Sequence, residues 1–230
     1  MPILGSAAAL MWCDIERDAD AEFEEWHNRE HIIERLSIPG FLRGSRWKAV
    51  DGAPAYFVMY EFTDHEVFLS DAYMRRLNNP SDWTRKMNPK IHNMTRSGCN
   101  VVASLGMGHG TFMITLRFSP AAGLGHELQA WVLEGLLPAL HASHGVNAVH
   151  FLQYRPAEGI EPSWEEKTRG GDRNADRVLL VNGSDLAALR AAIHGAGGAA
   201  SIQSHGASSP VVGEYGLRLT VHETEMPKPA

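Results

Sequence analysis

Two histidines stand four residues apart, with a carboxylate between them, in Trp26-His27-Asn28-Arg29-Glu30-His31-Ile32-Ile33. The chain then breaks toward a strand at Ile38-Pro39-Gly40-Phe41. At about 100° per residue, Phe23, Trp26, Glu30 and Ile33 share one helix face. His27 and Glu34 flank that face, and His31 lies further round. An acid and imidazoles at the edge of an apolar stripe describe a pocket wall. Imidazole titrates near neutrality, so the pair is suited to moving protons as general base or acid.

Other readings of the same residues stand beside this one. An i,i+4 histidine pair is also a metal-ligand spacing. The motif here is His-Asn-Arg-Glu-His, however, and a catalytic zinc needs a third protein ligand. His65, His92 and His109 are the further histidines available for that role. A plain reading makes the pair solvated residues on a half-exposed helix edge. Glu30 falls on the apolar face, where an unpaired carboxylate is costly. It must therefore pair with a cation, for which Arg43 and Arg46 in the next strand are the partners, or keep a raised pKa. Glu61 shares a strand face with Phe57 and Met59, and a wet strand end would relieve it. Tyr60 points the other way. Tyr73, Asn78, Asn79 and Trp83 are expected in a loop rich in aromatic and amide groups, suited to a small, partly apolar ligand or to local turn chemistry. Cys13 and Cys99 are expected to be thiols.

The elements that must position these residues follow from patterning. Strands are predicted at Ala8–Ile15, Phe41–Val50, Tyr56–Phe62 and Cys99–Leu105, with a long helix at Ala19–Leu36. Thr63-Asp64-His65-Glu66 reads as a capping box opening a short helix. Asn79-Pro80 reads as an N-cap and first helical position, starting a helix through Met87. The order is β-α-β-β-α-β. The second half repeats it, with strands at Phe112–Phe118, Ala148–Tyr154, Arg177–Asn182 and Val211–Val221. Its helices are Glu127–Ser143 and one capped by Ser184-Asp185, running through Ile193. An offset of 105 residues places Trp131 on Trp26 and Gly145 on Gly40; from Asp64 to Asp185 the offset is 121. The 16 extra residues fall in the polar connection Pro156–Asp176, which either folds over a pocket mouth or is disordered. Gly195-Ala196-Gly197-Gly198 and the Ser/His/Gly residues after it read as a flexible segment.

Alternating strands such as Tyr56–Phe62 are apolar on both faces, while helices cover one face of a sheet. Two such units can cover each other's second face, giving a barrel-like pair of sheets with helices outside. The expected domains are residues 1–108 and 109–230, joined through Gly106–Gly110.

Composition narrows the function classes. The net charge of −6 and the lack of a basic stripe argue against a nucleic-acid partner. Met1–Met11 does not read as a signal peptide, and no segment reaches membrane length, so a cytoplasmic protein is expected.

Trp26-His27-Asn28-Arg29-Glu30-His31, with Ile38-Pro39-Gly40-Phe41-Leu42-Arg43-Gly44 and Arg46-Trp47, resembles the EthD-like and related proteins of the dimeric α+β barrel superfamily. The resemblance is concentrated in residues 7–105, with Ile32 where many relatives carry Pro and Leu136 at the counterpart of His31. It implies an α+β fold of tandem ferredoxin-like βαββαβ units forming a dimeric α+β barrel within one chain, with the site in the first half. It also implies a spread of activities, from cofactor-free monooxygenases to isomerases, cyclases and dehydratases, with haem-bound relatives for which His141 and His144 are available. Superfamily members usually pair, so a homodimer or higher homo-oligomer is expected.

The expectation is a small-molecule enzyme acting on an apolar or aromatic substrate by acid–base chemistry (isomerisation, cyclisation, elimination or decarboxylation), with no cofactor and no metal. His27 and His31 are its acid–base residues and Glu30 tunes them. Arg43 or Arg46 holds a substrate carboxylate or enolate, Trp26, Tyr73 and Trp83 line the cavity, and Asn79 and Glu61 are further substrate-binding candidates. A non-catalytic ligand-binding or assembly protein, and a metal- or haem-dependent enzyme or cofactor-free oxygenase, are the competing readings.

Overall fold

A computed structural model of the protein describes residues 3–159 and 161–226. The expected absence of a signal at Met1–Met11 and the outer ends of the expected domains therefore fall partly outside the described residues. In chain order the elements are β1 (Ala7–Ile15), α1 (Asp20–Trp26), a π turn (His27–His31), α2 (Ile32–Leu36), β2 (Phe41–Ala49), β3 (Tyr56–Phe62), α3 (Glu66–Leu69), α4 (Asp71–Asn78), α5 (Asp82–Met87) and β4 (Ile91–Gly106). They continue as β5 (Phe112–Pro120), α6 (Gly125–Trp131), a second π turn (Val132–Leu136), α7 (Leu137–His141), β6 (Val146–Tyr154), α8 (Trp164–Thr168), β7 (Arg177–Gly183), α9 (Leu186–Gly195), α10 (Gly198–Ser204) and β8 (Ala207–His222). The hydrogen-bonded strand order, β1-β3-β2-β8-β5-β7-β6-β4, is that of a closed barrel. The fold is α+β, with ferredoxin-like order in each half. Among the described residues no helix is long and apolar enough to cross a membrane.

The 105-residue offset holds for whole elements: β5, α6, the second π turn, α7 and β6 fall on β1, α1, the first π turn, α2 and β2. The compact units are nonetheless not the contiguous halves 1–108 and 109–230. One comprises Leu4–Cys99, Arg155–Asn174 and the chain from Arg218; the other comprises Met1–Ile3, Asn100–Tyr154 and Ala175–Leu217. The divisions fall inside β4 and β8, each of which runs for 16 residues.

In the unit built on Leu4–Cys99, β3 is buried along its whole length. It pairs antiparallel with β1 (Met11 opposite Val58, Cys13 opposite Tyr56) and with β2 (Arg43 opposite Glu61, Gly44 opposite Tyr60). Val58, Tyr60 and Phe62 pack beneath the helices, with Ile32, Leu36 and Phe41. On the opposite face Phe57 stacks on Trp12 at 5.0 Å. Gly40, at φ 91°, turns the chain from helix to strand, and a Cβ there would sit 2.4 Å from Val67 Cγ2. Gly44 lets the helix settle onto the sheet, since a Cβ would lie 2.8 Å from Ile32 Cγ1 and 2.9 Å from Tyr60 Cε1. The other unit has an aliphatic core, with Leu116, Val132, Leu136, Val149, Leu179 and Leu189 at its centre.

Several local expectations need correction. At Thr63–Glu66 there is no capping box: Asp64 Oδ1 accepts from the Glu66 N–H, a shorter-range turn that suffices for a one-turn helix. Asn79 does not start a helix but closes α4, its side-chain amide donating to the Arg75 carbonyl, and Ser81 caps α5 instead. Tyr73 and Asn78 thus lie on α4, and Trp83 on α5, rather than in a loop. The glycine-rich run after Gly195 is a turn at Gly197, φ 85°, followed by the regular helix α10.

Candidate active site

The site is built on the π turn. Its defining hydrogen bond runs from the Ile32 N–H back to the His27 carbonyl, five residues rather than four. The extra residue shifts the phase of the helix. His27 and His31, already neighbours at an i,i+4 spacing, both face the inner side, with ring centroids 5.5 Å apart. Ile32 and Leu36 become the buried positions, while Ile33, expected on the inner face, is 39% exposed. Glu30 is turned away from the histidines toward α5, accepting from Ser81 Oγ at 2.5 Å and from Thr84 Oγ1 at 3.4 Å.

Beneath the turn, in this same unit, lies a cavity of about 540 Å³, counting the space at its mouth. Trp26, His27 and His31 form the helix wall, with Arg35 one turn on. Val58 and Tyr60 of β3, Met11 and Cys13 of β1, and Ile91, Met94 and Arg96 of β4 form the floor. Tyr73 closes one side. Glu165 and Arg169 enter from the long polar connection, which therefore folds over the mouth. Residues 161–174 of that connection are held down: Arg173 pairs with β4 through backbone bonds to Met94 and Arg96, and Trp164 N–H donates to Asn78 Oδ1.

The electrostatics of the site favour the neutral form of both imidazoles. His27 is 2% exposed. Burial lowers its pKa well below the usual imidazole value, and the charges of Arg46 and Arg35 push it the same way. His31 is lowered well below that value too, by burial and then by Arg35, His27 and Arg169. The Nδ1 atoms of both rings are buried and have no hydrogen-bond partner. His27 Nε2 lies 3.3 Å from Tyr60 Oη. Burial raises the Tyr60 pKa, so the phenol stays protonated at neutral pH. Arg35 forms a buried ion pair with Glu165 at 2.5 Å. Arg169 is clamped by both Asp172 carboxylate oxygens, at 3.0 and 2.7 Å. The Cys13 thiol is pushed up by burial to about 12 and stays protonated. It and Cys99 are both free.

The structure thus brings together His27, His31, Trp26 and Tyr73 among the residues the sequence singled out. It does not bring the others to the cavity. Arg43 is committed to Glu61 through two bonds of 2.7 and 2.9 Å, and Glu61 also accepts from the Leu4 N–H. That strand end is buried, not wet: Glu61 is 0% exposed, and the bulge in β2 between Phe41 and Arg43 aims the arginine at it. Arg46 donates to the Glu24 carbonyl and reaches the histidines only through its field. Trp83 donates to Glu22, and Asn79 lines a shallow surface hollow with Arg75 and Arg76. Neither Glu30 nor any of these lines the cavity. Among the described residues no group of three or more His, Cys, Asp or Glu is placed to hold a metal. His65 packs on Phe68, and His92 is exposed beside Glu16.

Sequence reasoning missed the cations that do line the cavity. Arg35 stands four residues beyond His31, a spacing that could have been read. Arg96 was hidden because β4 begins at Ile91, eight residues before the strand expected there, and Asn93, at φ 53°, breaks the alternation between Ile91 and Met94. Glu165 and Arg169 reach the site across a long stretch of sequence and left no local signal.

No protein-family model matches this sequence, and no curated protein is similar to it at a significant level. Solved structures do resemble it. An anthrone oxidase-like protein superposes with a TM-score of 0.67 at 13% identity, covering 100% of both chains. A protein named as a candidate monooxygenase from Fusobacterium nucleatum gives 0.58 at 9% identity, covering 96% of each chain. One named as a candidate chlorite dismutase gives 0.57 at 10%, covering 94% of this chain and 96% of its own. At such identities the likeness is one of fold: the chain has the architecture of the dimeric α+β barrel proteins, and this architecture hosts many chemistries.

Proposed function

We propose that this protein is a small-molecule enzyme that removes a proton from an apolar, enolisable or aromatic substrate in the cavity beneath the His27–His31 turn, without a cofactor. The observation that carries the reading is a pair of imidazoles favoured in the neutral form, His27 buried and His31 half-buried, whose buried Nδ1 atoms have no partner. A neutral imidazole is the basic form, and a desolvated one needs no water stripped from it before it accepts a proton. His27 or His31 accepts the substrate proton, and the guanidinium groups of the cavity offset the negative charge left on the substrate. Tyr60, held protonated beside His27, donates to the oxygen on which that charge collects. Trp26 and Tyr73 hold the ring. The Trp26–His31 and Pro39–Phe41 motifs favour an EthD-like relationship within the fold class.

The reaction that follows deprotonation divides the reading. Reprotonation at another carbon gives isomerisation, attack of the carbanion on a carbonyl carbon of the same substrate gives cyclisation, and expulsion of a leaving group from the adjacent carbon gives elimination. Reaction of the carbanion with dioxygen gives an oxygenase, a second reading favoured by the names of the anthrone oxidase-like and monooxygenase neighbours. Both share the first step, which is tested with anthrone as probe, in deuterated buffer without oxygen. Deuterium uptake at its methylene is expected to be accelerated by the wild type and slowed about 100-fold or more in His27→Gln or His31→Gln. No acceleration, or equal rates in wild type and both variants, overturns the proposal. Oxygen uptake under air then separates the two outcomes.

A further inference from the structure

Three guanidinium groups line the cavity, and two of them are already answered. Glu165 neutralises Arg35 at 2.5 Å, and Asp172 neutralises Arg169 with both carboxylate oxygens. Arg96 has neither. Among the described residues no carboxylate lies within ion-pair distance of it. Its Nη2 donates to the hydroxyl oxygen of Tyr73 at 3.0 Å. Its guanidinium carbon lies 4.5 Å from the Phe68 ring centroid and 5.7 Å from that of Tyr73. A cation held against aromatic faces keeps its charge but loses much of its hydration, so an incoming anion meets a site already partly stripped of water. Three guanidinium groups thus stand against the two carboxylates of Glu165 and Asp172, whose field also reaches Arg96, and leave one net positive charge around the cavity.

The rest of the lining supplies what a flat ring needs. Phe23, Trp26, Met11, Val58, Ile91 and Met94 are apolar. We infer that the cavity selects planar aromatic anions, rings bearing a carboxylate or an ionised oxygen, and that Arg96 is the residue that selects for the charge. The inference rests on reading this cavity as a small-molecule site, and deepens that reading by naming the class of ligand. It assigns Arg96 to recognition, where the sequence pointed to Arg43 or Arg46.

Binding tests it independently of turnover. Titration calorimetry compares 2-naphthoate with 2-naphthamide, which has the same ring and shape but no charge. The wild type is expected to bind the acid at least tenfold more tightly than the amide. Arg96→Gln should lose this preference while keeping its affinity for the amide, and Arg96→Lys should recover part of it. His27→Gln should keep the preference, so failure of the proton-transfer reading and failure of this one are distinguishable. Equal affinities in the wild type, binding of neither probe, or a preference that survives in Arg96→Gln would each overturn the assignment.

Discussion

Acid should unfold this protein earlier than its carboxylates alone predict, because His27 and His31 are held without protons in the fold. In the unfolded chain each imidazole titrates near 6.5. In the fold both pKa values lie well below that, through burial and the nearby arginine charges. Between these limits the unfolded chain binds more protons than the native one, so stability is complete above pH 6.5 and declines as pH falls. Below the unfolded pKa each group contributes a slope of about 1.4 kcal/mol per pH unit. If the folded state takes up no proton by pH 5, each imidazole costs about 2 kcal/mol there, and the pair about 4 kcal/mol. That is a large share of the 5–15 kcal/mol typical of a domain. The carboxylates held low by hydrogen bonds and Lys48, Asp20 and Glu24 among them, lose their contribution only at lower pH. Urea unfolding followed by tryptophan fluorescence at steps between pH 7.5 and 5 would measure the slope in the wild type and in a His27→Gln/His31→Gln variant. The wild type should be steeper by up to about 2.7 kcal/mol per pH unit in this window. His65, whose pKa burial also lowers, is present in both proteins and cancels. Parallel curves would mean that the fold does not hold these rings neutral, and the proton-accepting role would go with them.

Two further outcomes follow from the buried ion pairs. Glu165→Ala strands Arg35, 2% exposed, without its partner, and is expected to cost about 3–5 kcal/mol with faster proteolysis of the segment around α8; a loss under about 1 kcal/mol in urea unfolding would show that the pair does not hold the segment down. Arg43→Leu alone should cost a similar amount by leaving Glu61 charged and buried, while Arg43→Leu/Glu61→Leu should recover most of it and leave the anthrone exchange rate unchanged, whereas a fall in that rate would return Arg43 to the site.

Strands and the long helix were legible because their signals are local: alternation in Tyr56–Phe62, apolar spacing in Phe23–Leu36, and Pro-Gly after it. The repeated order of elements, and the barrel it implies, followed from strands apolar on both faces. The histidine pair was legible by type and spacing, but its direction was not. The projection assumed a uniform helix, and one π turn reversed the roles of Glu30 and His31. Arg43 and Glu61 show the opposite failure. Each is unusual in an apolar strand, so each drew a functional reading, yet they answer each other directly across the β2–β3 ladder. The charges that do face the cavity depend on where a loop lands, and on a strand start masked by Asn93.

The π turn occurs a second time, at Val132–Leu136, with no ionisable side chain but Glu134 and with Leu136 where His31 would stand. There the residues around it close on a hollow of only about 180 Å³ lined by aliphatic groups. A backbone irregularity kept in both halves, bearing imidazoles in one and aliphatic groups in the other, belongs to the scaffold. Evolution or design could therefore exchange the side chains it presents, installing imidazoles in the second copy or removing them from the first, while the main chain stays as it is.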